Sequence, residues 1–143
     1  MKTFVVLAVS IVLVSILFCP MVMAAPPMPD DLQMVQPDPS LSKGLSAFFG
    51  KWEGTGMIPL FLIVEKIDEE KASLYVWRNI TNEIPGNPIW ARYEAKVIKD
   101  RGIYKLRYQS RFSNTDLTLK GIALDCKGSG HPLEPDTRLR RVP

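Results

Sequence analysis

From Lys51 onward the chain repeats with a period of two, and no helix accommodates that pattern. The cleanest stretch is Ile89 to Ile98. Ile89, Ala91, Tyr93, Ala95 and Val97 face one way and Arg92, Glu94 and Lys96 the other, with Trp90 and Ile98 at the ends. Similar strands are predicted over Trp52–Gly56, Pro59–Ile67, Ala72–Arg78, Ile103–Ser110, Thr115–Cys126 and Thr137–Val142. Turn signals separate them: Asp68-Glu69-Glu70-Lys71, Pro85-Gly86 with Asn87-Pro88, Asp100-Arg101-Gly102 and Ser113-Asn114. Gly121 reads as a bend or bulge inside the sixth strand. Short connections and one wet face imply an all-β, up-and-down antiparallel sheet. Such a sheet best removes its edges by closing, so an antiparallel β-barrel of about seven to eight strands is expected, with an open sandwich as the other outcome.

The alternation does not reach the N-terminal third. Lys2 followed by the apolar run Phe4–Phe18, with Val22-Met23-Ala24 before Ala25, reads as a cleaved signal peptide over residues 1–24. That run is shorter than the ~20 residues that span a bilayer, so no stable membrane span is expected after processing. Cys19 lies between Phe18 and Pro20, which argues against lipoprotein processing. Residues 25–40 contain Pro26, Pro27, Pro29, Pro37 and Pro39 among Asp30, Asp31 and Asp38, and read as an extended, solvated linker. Ser40 is placed to cap a short N-terminal helix whose Leu41, Leu45, Phe48 and Phe49 share one face, and Gly50 ends it. Residues 41–143 are then one domain. The protein is expected to be exported, periplasmic or extracellular.

Charge and cysteine content narrow the partners. The formal net charge is +3, and loss of Lys2 lowers it to +2. Lys and Arg are spread along the strands instead of massed in a patch with stacking aromatics, so no nucleic-acid partner is expected. Cys126 alone remains after processing, read as a buried small hydrophobe in preference to a free thiol or an intermolecular link. The sequence leaves the oligomeric state open.

Within this frame Gly50-x-Trp52, preceded by a short helical turn, resembles the calycin group of lipocalins, fatty-acid-binding proteins, avidins and bacterial lipocalin-like relatives. Leu62-Ile63-Val64-Glu65-Lys66, Leu74-Tyr75-Val76-Trp77 and Leu139-Arg140-Arg141 are similar in layout to small exported bacterial domains of that kind. The resemblance implies that Trp52 closes one barrel end and that a basic side chain of the last strand (Arg138, Arg140 or Arg141) lies across its indole. It also implies an internal site for a small apolar or amphipathic molecule, entered at the end opposite Trp52. The chain departs from the group in its length, in lacking a C-terminal helix and in its count of seven strands. It also lacks the Trp-rich set that biotin binding requires.

Catalytic chemistry finds no foothold. Ser129 and His131 are close in sequence but lack the strand-to-helix elbow and the spacing of a nucleophile and its base. One His with one Cys supplies no metal site, and no cofactor is expected. Asn79-Ile80-Thr81 matches a glycosylation sequon by coincidence. Glu94 belongs to an external charge ladder with Arg92 and Lys96. Glu65 shares its parity with Phe61, Ile63 and Ile67 and is the one acid expected to point inward. Tyr75, Trp77, Tyr93, Tyr104 and Tyr108 either line a cavity with Glu65 or fill a barrel too small for a guest. The expectation is a non-enzymatic exported barrel that binds a small molecule inside. The alternative is a filled barrel acting as an envelope interaction module, or as an accessory of a secreted enzyme system.

Overall fold

The computed structural model describes residues 26–54, 60–78, 90–110, 113–129 and 137–143. The expected signal peptide, the Asn79 sequon and His131 lie outside them. Eight strands follow one short helix, α1 (Lys43–Ser46): β1 (Gly50–Gly54), β2 (Leu60–Ile67), β3 (Lys71–Arg78), β4 (Ala91–Asp100), β5 (Ile103–Gln109), β6 (Asn114–Lys120), β7 (Ala123–Ser129) and β8 (Thr137–Val142). Each strand pairs antiparallel with its successor, and β8 returns to β1 with Trp52 opposite Arg141. The result is a closed up-and-down barrel in strand order, which leaves no sheet edge to protect.

The eighth strand comes from dividing the expected sixth. Gly121 (φ +63) is the first residue of a two-residue turn with Lys120 opposite Ala123, so Thr115–Cys126 is a hairpin and not one bent strand. Glycine at the first central position is what a tight type II′ connection requires. Arg101-Gly102 makes the equivalent turn between β4 and β5, with Asp100 opposite Ile103 and both turn residues at positive φ. At the β2–β3 turn the Asp68 side chain accepts the N–H groups of Glu70 and Lys71, at 2.9 and 2.8 Å. This Asx arrangement replaces missing ladder bonds.

The inward set is apolar on every strand: Leu62 and Val64 of β2, Leu74 of β3, Ala95 of β4, Leu106 of β5, and their counterparts on β6, β7 and β8. Cys126 is buried among them, as read from its residue type. α1 and its flanking residues cover one end and feed Leu41, Leu45 and Phe48 into the same cluster. Its N-cap is Ser42, without a side-chain bond, whereas the Ser40 hydroxyl bonds the Asp38 carboxylate at 2.6 Å. The expected Ser40 cap is therefore displaced by two residues, because Asp38 holds Ser40 in the preceding turn.

Residues 26–39 differ most from expectation. They are largely exposed, as a solvated segment should be, but over the length described they are also tethered as a strap along the outer wall of β2 and β3. The Val35 amide donates to the Glu65 carbonyl at 2.8 Å, the Gln33 amide to Glu65 Oε2 at 3.2 Å, and the Trp90 indole N–H to the Pro27 carbonyl at 2.7 Å. A proline-rich segment cannot build a core of its own, but it can be held in place by a wall that is already folded.

Candidate functional site

Three places gather the residues singled out above. The first is the closed end. Trp52 is 2% exposed, and its indole N–H donates to the Phe48 carbonyl at 2.9 Å, which satisfies the one polar atom this plug carries into the core. The Arg141 guanidinium stands 4.7 Å from the Trp52 ring centroid and also donates to the Ala47 carbonyl. Strand parity selects it over its neighbours. Arg138 and Arg140 point outward, to Asp125 at 2.9 Å and to Glu53 at 3.3 Å, and neither touches the indole. Gly50 takes φ +120, a conformation that favours glycine, and lies beside the Arg141 guanidinium.

The second place is the interior aromatic group. Tyr93 and Tyr108 face inward with ring centroids 5.0 Å apart. Thr115, opposite Tyr108 in the β5–β6 register, joins them; its hydroxyl is buried without a partner among the described residues. Tyr104 is also inward by parity but is wedged under the helix, its ring 3.4 Å from where a Cβ on Gly44 would stand. The Ser42 hydroxyl and the Lys99 ammonium hold its phenol below the usual range.

The third place is the outer wall under the strap, and it corrects three expectations. Glu65, Tyr75 and Trp77 stand there and not in the interior. Tyr75 lies opposite Ile63 and Trp77 opposite Phe61, and the Phe61 and Trp77 rings meet edge-on at 5.2 Å. Glu65 is the extra residue of a bulge, because the register jumps from Val64–Leu74 to Lys66–Ser73. That insertion sends Ile67 inward and Glu65 outward, so their shared parity misleads.

Glu65 is only 1% exposed. It accepts the Ser73 hydroxyl at 2.7 Å and the strap's Gln33 amide, and it pairs with Arg92, which also reaches Ser73 Oγ at 3.3 Å. Burial pushes its carboxyl up, but the bonds from Ser73, Gln33 and Arg92 together outweigh that and hold it below the ordinary range. The guanidinium lies over the Tyr75 ring at 5.4 Å. Burial is the largest influence raising the Tyr75 phenol, with the strap's Asp31 and then Glu65 adding to it. Beside this cluster an open cleft of about 440 Å³ is lined by Lys66, Asp68, Lys71, Ser73, Arg92 and Glu94. Lys71 and Glu94 pair across it at 3.0 Å. Its charges are largely spent on each other, which makes it a clamp for the strap before it is a catalytic surface.

Among the described residues no three His, Cys, Asp or Glu side chains gather closely enough to hold a metal ion. Comparisons with protein-family models, with curated proteins and with solved structures find no significant match.

Proposed function

We propose that this protein is an exported, calycin-type barrel that is non-enzymatic, carries a filled interior and acts through its outer surface as an envelope interaction or accessory module. The observation carrying this reading is the state of the inward side chains. Leu62, Val64, Leu74, Leu106, Leu117 and Leu139 are all 0% exposed. A side chain facing a void wide enough for a guest keeps surface that a water molecule inside the void could touch, and these keep none. The open cleft of about 440 Å³ is lined by Lys66, Asp68, Lys71, Arg92 and Glu94 as well as by Ala72, Ser73 and Tyr93, a density of charge that suits a lipid poorly. Gly50-x-Trp52 with Arg141 over the indole supports the calycin assignment.

A second reading keeps a small internal ligand near Tyr93, Tyr108 and Thr115, on the strength of the unpartnered Thr115 hydroxyl. Native mass spectrometry after incubation with a lipid panel separates the two. Bare polypeptide mass across the panel is the expected result. A stoichiometric adduct that is lost in Thr115→Val would establish the second reading and remove the first.

A further inference from the structure

The helix-capped end presents two hairpin tips with side chains that turn chemistry does not ask for. Arg101 sits at φ 50, a left-handed conformation that Gly or Asn adopts at less cost. Ile122 follows Gly121 at the β6–β7 tip and is 93% exposed, where a polar residue would ordinarily stand. A local rule broken at two adjacent tips points to a use for those side chains beyond the fold.

The surroundings supply the complementary chemistry. Lys105 lies opposite Thr118 in the β5–β6 register, so two residues further on Ile103 falls beside Lys120 on the outer face. Ile103 is itself 53% exposed. Arg101, Lys105 and Lys120 stand on the same two tips or on the outward strand positions beside them, while Lys99 is turned over the Tyr104 ring. Asp100 holds Lys105 at 3.5 Å and Asp125 holds Lys120 at 2.9 Å, while Arg101 has no ion-pair partner among the described residues. The third tip at this end, Asp68-Glu69-Glu70, is acidic and would be repelled by an anionic surface. Any contact therefore tilts away from it, onto the β5–β7 side.

We propose that the β4–β5 and β6–β7 tips form a peripheral docking surface for an anionic phospholipid bilayer. Ile122 and Ile103 enter the headgroup region, and Arg101, Lys105 and Lys120 pair with lipid phosphates. Apolar spikes ringed by basic residues bind such surfaces by adding apolar burial to attraction from the anionic leaflet. The proposal rests on the reading of the barrel as an outward-acting module. A lipid adduct inside the barrel would sink that reading alone, whereas the experiment below tests only the tips.

The full chain is mixed with vesicles of neutral lipid, or of the same lipid carrying about one third phosphatidylglycerol, and partitioning is measured by flotation. Two variants suit their backbone sites, Arg101→Gly and Ile122→Asn, so each should keep the wild-type melting temperature or exceed it. The expected result is a preference of about tenfold for anionic vesicles, reduced at least several-fold in each variant and lost in the double variant. In Ile122→Trp, the additional indole emission should be quenched by bromine-labelled lipid. Equal partitioning of wild type into both vesicle types overturns the proposal. So does an anionic preference that the double variant retains, or an added indole that the brominated lipid fails to quench.

Discussion

The closed end and the strap-covered wall solve the same problem, excluding water from aromatic side chains, with opposite chemistries. At the end, Trp52 and Phe48 pack into an apolar cluster with the Arg141 guanidinium laid over the indole, and a backbone carbonyl accepts the indole N–H. On the wall, Ile63, Tyr75 and Trp77 are buried although the segment over them includes proline and aspartate, held by one buried carboxylate with its Ser73 and Arg92 partners. Apolar packing resists many conditions equally. A polar clamp depends on its protonation and on each partner in turn.

The largest effect expected follows from removing the plug. Trp52→Ala should cost ~3–5 kcal/mol in urea unfolding, since it empties the widest fully buried position in the barrel. A loss within about half a kcal/mol would mean the end is not sealed by apolar packing at all. On the wall, Glu65→Gln should cost about 1–3 kcal/mol by leaving Ser73 and the Gln33 amide poorly matched. The informative readout is local: hydrogen exchange at the Val35 amide should accelerate more than exchange in β5 or β6. Uniform acceleration would show that strap and barrel unfold as one unit, ending the contrast drawn above.

Acid should separate the two regions without mutation. The Glu65 carboxyl is depressed in the folded state, so its contribution is complete above the unfolded carboxylate range and is lost as pH falls through its lower folded value. Strap protection should therefore fail in acid before the β5–β6 amides exchange. Loss of both together would refute a pH-sensitive clamp. Arg141→Ala should lower stability by about 0.5–1 kcal/mol, the worth of a guanidinium on an indole at a partly wet site. Arg138→Ala should leave Trp52 fluorescence unchanged; a change of similar size in both variants would contradict the parity argument. The smallest effect is on the far wall. Asp125 is held at about 2, chiefly by Arg138 and then Lys120, so its contribution is full above the unfolded value near 3.8 and disappears as pH falls through about 2. Asp125→Asn should lower stability modestly at neutral pH, where that contribution is present, and leave it unchanged below about pH 2, so the acid limb of the unfolding curve flattens.

How much of this was legible varied by element, for a physical reason in each case. β4, β5 and β8 face the core on one side and water on the other, so their alternation declares which residues point inward. β2 and β3 are covered on both faces, and Leu60–Ile67 reads as a nearly unbroken apolar run whose parity is silent. Tyr75 and Trp77 were therefore open to either face until the strap's position settled them. The β6–β7 turn hid because Ile122 continues the apolar content across it, while Gly121 alone fits a bulge as well as a hairpin. Arg141 was one of three basic candidates, and only the register of β8 against β1 singles it out.

By itself the sequence determined the all-β class, the antiparallel meander and the Trp52 plug, because period, turn residues and residue types are local properties. The tertiary structure alone decided that Glu65 faces outward, that residues 26–39 are tethered to the barrel wall, and that Ile103, Ile122, Arg101, Lys105 and Lys120 share one end. Those facts depend on a single inserted residue in β2 and on the register of strands far apart in the chain. Neither leaves a periodic trace in the residues it rearranges.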